Sequence, residues 1–91
     1  MGRKWRVEFH RSAVKDLELL RRAGLAGKAR ALAEGLRDDP YYTPPPYEKL
    51  SGDMQGLYSR RINAQHRLVY KVDKDAMTVR VLRMWTHYGD N

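Results

Sequence analysis

The sequence predicts an α+β domain: a small, mostly antiparallel sheet with a helical hairpin on one face, in the order β-α-α-β-β-β-β. Three observations lead there. The stretch "KWRVEF" (residues 4–9) carries an apolar side chain at every second position, the period of a strand with one buried face. Two segments of helical spacing follow, joined by a short connection at Gly24. Beyond a run of three prolines, three further strand-like segments are linked by tight turns.

Each element has its own justification. In the first strand Trp5, Val7 and Phe9 alternate with Lys4, Arg6 and Glu8. Ser12 is placed to cap the first helix, whose apolar residues are Ala13, Val14, Leu17 and Leu20, and Gly24 ends it. Leu25, Ala29, Leu32, Ala33 and Leu36 form the stripe of the second helix, which "DDP" (38–40) stops. The short link makes the pair an αα-hairpin. "PYYTPPPYEKL" (40–50) cannot be helical, because three consecutive prolines fix φ and remove backbone donors; it reads as a stiff crossover returning the chain to the sheet. Then come "LYSRRI" (57–62), "HRLVYKV" (66–72) after a turn around Asn63-Ala64, and "MTVRVLRMWTHY" (77–88) after "DKDA" (73–76). Such short links make an antiparallel meander.

Length and composition limit the function. Ninety-one residues support one hydrophobic core and not two, so residues 1–91 are read as a single domain. The absence of cysteine excludes a disulfide framework and a thiolate zinc site. The polar, charged start contains no apolar signal segment, and no apolar run approaches the roughly 20 residues that span a bilayer. The expectation is a cytoplasmic protein without a membrane partner. Eighteen Lys and Arg against eleven Asp and Glu give a net charge of +7. Residues 1–47 hold ten basic and six acidic groups and residues 48–91 hold eight and five. The excess is therefore spread over the fold, which favours a folded surface for a polyanion over a basic tail.

Chemistry can be placed on the strands. In 66–72, His66, Leu68, Tyr70 and Val72 share one face, expected to meet the helices, while Arg67, Val69 and Lys71 share the other. Arg67 then stands on the open face, where a guanidinium can grip a phosphate with two hydrogen bonds. Arg60 and Arg61 alternate, so one of them at most joins it. His66 reads as structural and His10 as a surface residue. His87, at the end of the last strand beside Tyr88, is a candidate proton donor. Glu48 follows the prolines into a basic neighbourhood. A carboxylate, an arginine and an imidazole that converge can cleave RNA without a metal: one removes the 2′-hydroxyl proton, one stabilises the phosphorane, one protonates the departing 5′-oxygen. No pair of His or carboxylate side chains has metal-ligand spacing on one element, so no metal and no cofactor is expected. On the residues alone the reading stops at a basic α+β domain that binds a polyanion.

The segment "YEKLSGDMQGLYSRRINAQHRLVYKV", followed by "RMWTHY", resembles the YoeB-like (Txe-type) toxins of the RelE superfamily over roughly Glu48 to Tyr88. "SRRI", "HRLVY" and "HY" in that order carry the likeness. The resemblance implies a microbial-ribonuclease-like fold and a toxin that cleaves mRNA in the ribosomal A site. It also implies a cognate antitoxin whose C-terminal segment wraps the toxin, and often a toxin homodimer. By position Glu48 is the general base, Arg67 the transition-state arginine and His87 the general acid. Tyr88 is an aromatic that stacks on a base or orients the substrate, and Arg60 and Arg61 are the paired arginines, with Arg61 the nearer to the scissile phosphate. Ser51 stands where some members carry a lysine; Lys49, directly after Glu48, is the basic group at hand, although alternation turns it from the face of Glu48. Two other readings remain: a relative that poisons a topoisomerase by protein contact, and a basic RNA- or ribosome-binding module without catalysis. The first lacks the Glu–Arg–His set; the second predicts that Glu48 and His87 are dispensable.

Overall fold

The protein forms a five-stranded sheet in the spatial order β1-β5-β4-β3-β2, with two helices against one face. The computed structural model describes residues 4–52 and 56–85. Chain order is β1 (Arg6–Phe9), α1 (Arg11–Arg22), α2 (Ala26–Asp38), β2 (Tyr47–Lys49), β3 (Leu57–Arg61), β4 (Arg67–Asp73) and β5 (Thr78–Arg83). Strands β3 to β5 are the expected antiparallel meander, β2 extends it antiparallel to β3, and β1 joins the far edge in parallel with β5, Val7 opposite Val79.

Local chemistry sets the helix ends. The N-cap of α1 is His10 rather than Ser12: its backbone is extended and its Nδ1 accepts from the Ser12 N–H at 3.2 Å. At the other end Gly24 takes φ +77°, which lets the Leu25 N–H reach back to the Leu20 carbonyl at 2.8 Å and closes the turn. Gly35, inside α2, is needed for another reason. A Cβ there would lie 2.5 Å from the Tyr42 ring, so the roughly 0.5–1 kcal/mol that glycine costs a helix admits an aromatic against its backbone.

The core lies between the helices and the sheet. Ala13 and Leu20 of α1, Ala29, Leu32, Ala33 and Leu36 of α2, and Leu68, Tyr70, Val79 and Val81 of the strands are buried together. Two expected core residues are not in it: Val14 is 55% exposed and Phe9 is exposed at the end of β1. On α1 the inward place is taken by Asp16, which is buried. Its carboxylate accepts from Arg83 Nε at 2.8 Å, from Arg83 Nη2 at 3.2 Å and from the Met84 N–H at 2.9 Å. That capture explains why β5 is shorter than expected. The strand ends at Arg83, because the next backbone donor bonds a helix side chain instead of a neighbouring strand. Residues 86–88 of the expected strand lie outside the described residues.

Candidate active site

The crossover and the first two strands of the meander build one end of the open sheet face. Register places Glu48 opposite Ser59, Ser59 opposite Val69, and Arg61 opposite Arg67. Because side chains alternate along a strand, Glu48, Ser59, Arg61, Arg67 and Val69 share that face. A hollow of about 310 Å³ opens there, lined by Pro45, Pro46, Glu48, Ser59, Arg61 and Arg67. The prolines place a rigid wall beside the charged groups.

Glu48 and Arg67, 19 residues apart, are in contact: Arg67 Nη1 donates to Glu48 Oε1 at 2.8 Å. The two partners are unequally exposed. The Arg67 side chain is 16% exposed and that of Glu48 63%, so the guanidinium is the fixed member and the carboxylate the one free to swing. An arginine has five N–H donors in a planar fork; one is engaged by Glu48, and others remain for an anion. Exposed Arg61 lies beside Arg67 on the same face, so two guanidinium groups and one carboxylate border a single hollow. That arrangement can hold a phosphodiester next to a proton acceptor.

Two expected substrate contacts are elsewhere. Arg60 is a correction: it is 1% exposed and points to the opposite face from Arg61. Its Nη1 donates to the Pro45 carbonyl at 2.8 Å, its Nη2 to the Pro40 carbonyl at 3.0 Å and its Nε to the Tyr70 hydroxyl at 3.2 Å. The guanidinium also lies 4.0 Å from the centre of the Tyr42 ring and 5.1 Å from that of Tyr47. A cation enclosed by carbonyl dipoles and aromatic faces fixes the crossover to β3 and cannot reach RNA. Lys49 pairs with Tyr58, one position along from Glu48, and so takes the other face of β2; it lines a different hollow with Leu50, Ser51 and Leu57. His87 and Tyr88 lie outside the described residues.

Burial dominates the titration of the aromatic cluster around Arg60. The Tyr70 hydroxyl, which donates to the Pro40 carbonyl at 2.9 Å, is pushed up to about 12 by desolvation against the opposing pull of Arg60. Tyr41 is likewise raised to about 12, first by desolvation and then by the neighbouring Tyr58.

Two contributors were not identified from the sequence. Ser59 sits between Glu48 and Val69 in register, and only a known strand pairing reveals that. Asp16, on α1, anchors the end of β5. A second anchor is His66, buried and stacked on Trp85 with ring centres 4.0 Å apart, in keeping with a structural histidine. Asp16 and His66 together fix residues 83–85, immediately before the segment that contains His87.

Comparison with known proteins finds the same fold and related sequences among small bacterial toxins. The sequence profile of the YoeB-like toxin of bacterial type II toxin–antitoxin systems matches residues 9–88. Toxin YoeB of Synechocystis sp. is 38% identical over 65 residues, 70% of this chain and 69% of that protein. Toxin YoeB of Mycobacterium bovis is 38% identical over 53 residues, a match spanning 58% of this chain and 60% of that protein. Among solved structures, a YoeB/ParE toxin from Agrobacterium tumefaciens superposes with a TM-score of 0.81 at 32% identity, covering 91% of this chain and 99% of that one. The toxin of a YoeB–YefM complex from Staphylococcus aureus gives 0.75 at 29% identity, covering 92% and 98%. A Staphylococcus aureus YoeB dimer gives 0.76 at 29%, covering 96% and 100%.

The chain belongs to the YoeB-like toxins of bacterial type II toxin–antitoxin systems.

Proposed function

We propose that this toxin is a ribosome-dependent mRNA endoribonuclease acting at the A site. The observation that carries the reading is the 2.8 Å contact of Glu48 with Arg67 beside a hollow that Arg61 also lines. Family membership supports it, and so does the net charge of +7, which suits an RNA surface.

In the proposed reaction the Glu48 carboxylate takes the proton of the 2′-hydroxyl, whose oxygen attacks the adjacent phosphorus. Arg67 turns its remaining N–H groups to the phosphorane oxygens as charge builds there. The P–O5′ bond breaks, and the His87 imidazolium gives its proton to the departing 5′-oxygen. The products are a 2′,3′-cyclic phosphate and a 5′-hydroxyl. The nucleophile belongs to the substrate, so DNA is not cut and chelators do not stop the reaction. Tyr88 stacks on or orients a base, and Arg61 holds the flanking backbone. The partner that silences this face is a cognate antitoxin, as YefM is bound in the Staphylococcus aureus complex. It should offer carboxylates to the basic surface. A homodimer like that of the Staphylococcus aureus relative is a further expected assembly, and the site of action is the cytoplasm, where ribosomes are.

Primer extension on an mRNA translated in vitro tests the reading, with wild type beside Glu48→Ala, Arg67→Ala and His87→Ala. Discrete A-site cuts that fall by roughly 10²–10⁴-fold in the Glu48 and His87 variants are expected. Intact mRNA with the wild type would overturn the enzyme reading in favour of action by protein contact. Cuts that persist in the variants would overturn the assignment of the site.

A further inference from the structure

The hydroxyl of Ser59 is buried beneath the candidate site. The residue is 1% exposed, and its Oγ makes no hydrogen bond among the described residues. The large majority of buried side-chain polar atoms have a partner, and one that lacks it calls for an explanation, a catalytic role among them. Ser59 lies at the middle of the candidate site: it lines the hollow, and its register partners across the sheet are Glu48 on one side and Val69 on the other. The Val69 side chain offers no acceptor. Glu48 offers two carboxylate oxygens, of which Oε1 is held by Arg67.

That contact cannot serve the reaction unchanged. A phosphate entering between Arg61 and Arg67 competes with Glu48 for the guanidinium, and it binds bidentately where the carboxylate has one bond. The exposed Glu48 side chain then loses its only described hydrogen bond at the moment when it must be aimed at a proton. We propose that Ser59 is the positioning residue for Glu48: once an anionic phosphate takes Arg67, the Ser59 hydroxyl donates to the Glu48 carboxylate and holds it over the hollow. Directly opposed side chains on one face have Cβ atoms about 4.5–5.5 Å apart, so a rotamer change of the glutamate brings its carboxylate within reach. The hydroxyl is thus a donor held in reserve under the pair. This inference rests on the ribonuclease reading.

The test is steady-state cleavage of ribosome-bound mRNA by wild type, Ser59→Ala, Glu48→Gln and the double variant, with a thermal melt of each. Ser59→Ala should keep KM and lose about 10- to 100-fold in kcat, the scale on which misaiming a reacting group acts. Its melting temperature should not fall, because the hydroxyl has no hydrogen bond among the described residues to lose. In the Glu48→Gln background the same change should add little, since Ser59 acts only through that carboxylate. A Ser59→Ala protein with wild-type kcat overturns the inference while leaving the ribonuclease standing. A loss equally large in both backgrounds overturns it too, and so does one accompanied by a lower melting temperature, because either marks a general structural role. A wild type that leaves mRNA intact removes the ribonuclease reading and this inference with it.

Discussion

Two adjacent arginines of β3 should respond in opposite ways to the same change. Arg60→Met keeps the length of the side chain and removes its charge and donors. In the folded protein this leaves the Pro45 carbonyl without its donor, which costs about 1–3 kcal/mol. The Pro40 carbonyl still receives the Tyr70 hydroxyl. The guanidinium 4.0 Å above Tyr42 is also lost, a desolvated cation–π contact of about 2 kcal/mol. Together these predict a loss of about 3–5 kcal/mol and a melting temperature lower by more than about 10 °C. The carbonyls and rings are taken to offset the desolvation of the buried charge, which otherwise opposes the loss. Arg61→Met, on an exposed residue, should leave the melt within about 0.5 kcal/mol of wild type. Cleavage per folded molecule, measured well below the transition, should be kept in the first variant and reduced in the second. Differential scanning calorimetry and the primer-extension assay read both quantities. An Arg60→Met protein as stable as wild type, or more so, would refute the reasoning, because desolvation would then outweigh the cage.

Other outcomes follow from the same geometry. Tyr70 and Tyr41, held near 12, should titrate late when phenolate absorbance is followed in the near ultraviolet, and Tyr70→Phe should remove one of the late steps. Their folded values lie above the unfolded value of about 10. Their contribution to stability is therefore complete below about pH 10 and is lost as the pH rises towards 12; a native protein whose tyrosines all titrate near 10 would contradict this. Asp16→Ala removes the acceptor of Arg83 and of the Met84 N–H. Allowing for the partial exposure of Arg83, a urea melt should show a loss of about 2–3 kcal/mol, and a change under 1 kcal/mol would deny the clasp.

Much of the architecture was legible because it depends on local signals. The strand period of "KWRVEF", the stripe of α2 and the stop at "DDP" each reflect a few neighbouring residues. The failures depend on distant partners. Nothing near Met84 says that its backbone donor belongs to a helix carboxylate 68 residues away, so β5 was drawn too long. Alternation separates Arg60 from Arg61 correctly, but the cage that buries Arg60 comes from the crossover and β4. Arginines are almost never fully buried without partners, and those partners are invisible until the loop is placed. For the site, the family motifs supplied Glu48 and Arg67, and their meeting needed the pairing of three strands. Ser59 carries no signal, since a small polar residue between Tyr58 and Arg60 looks like any exposed strand position.

The position of β5 has a consequence for how such a toxin is made. The last described strand to be synthesised lies between β1 and β4, and its pairing with β1 joins residues 72 apart, as Glu8 opposite Arg80. A nascent chain that has not yet released residues 78–83 lacks the strand that joins β1 to the β2–β4 side of the sheet. Long-range parallel pairing is also slow to form. The Arg83–Asp16 clasp and the Trp85–His66 stack close only after that seam is made. The sheet is therefore continuous only once residues 78–83 are in place, and a chain lacking them carries two fragments of one fold.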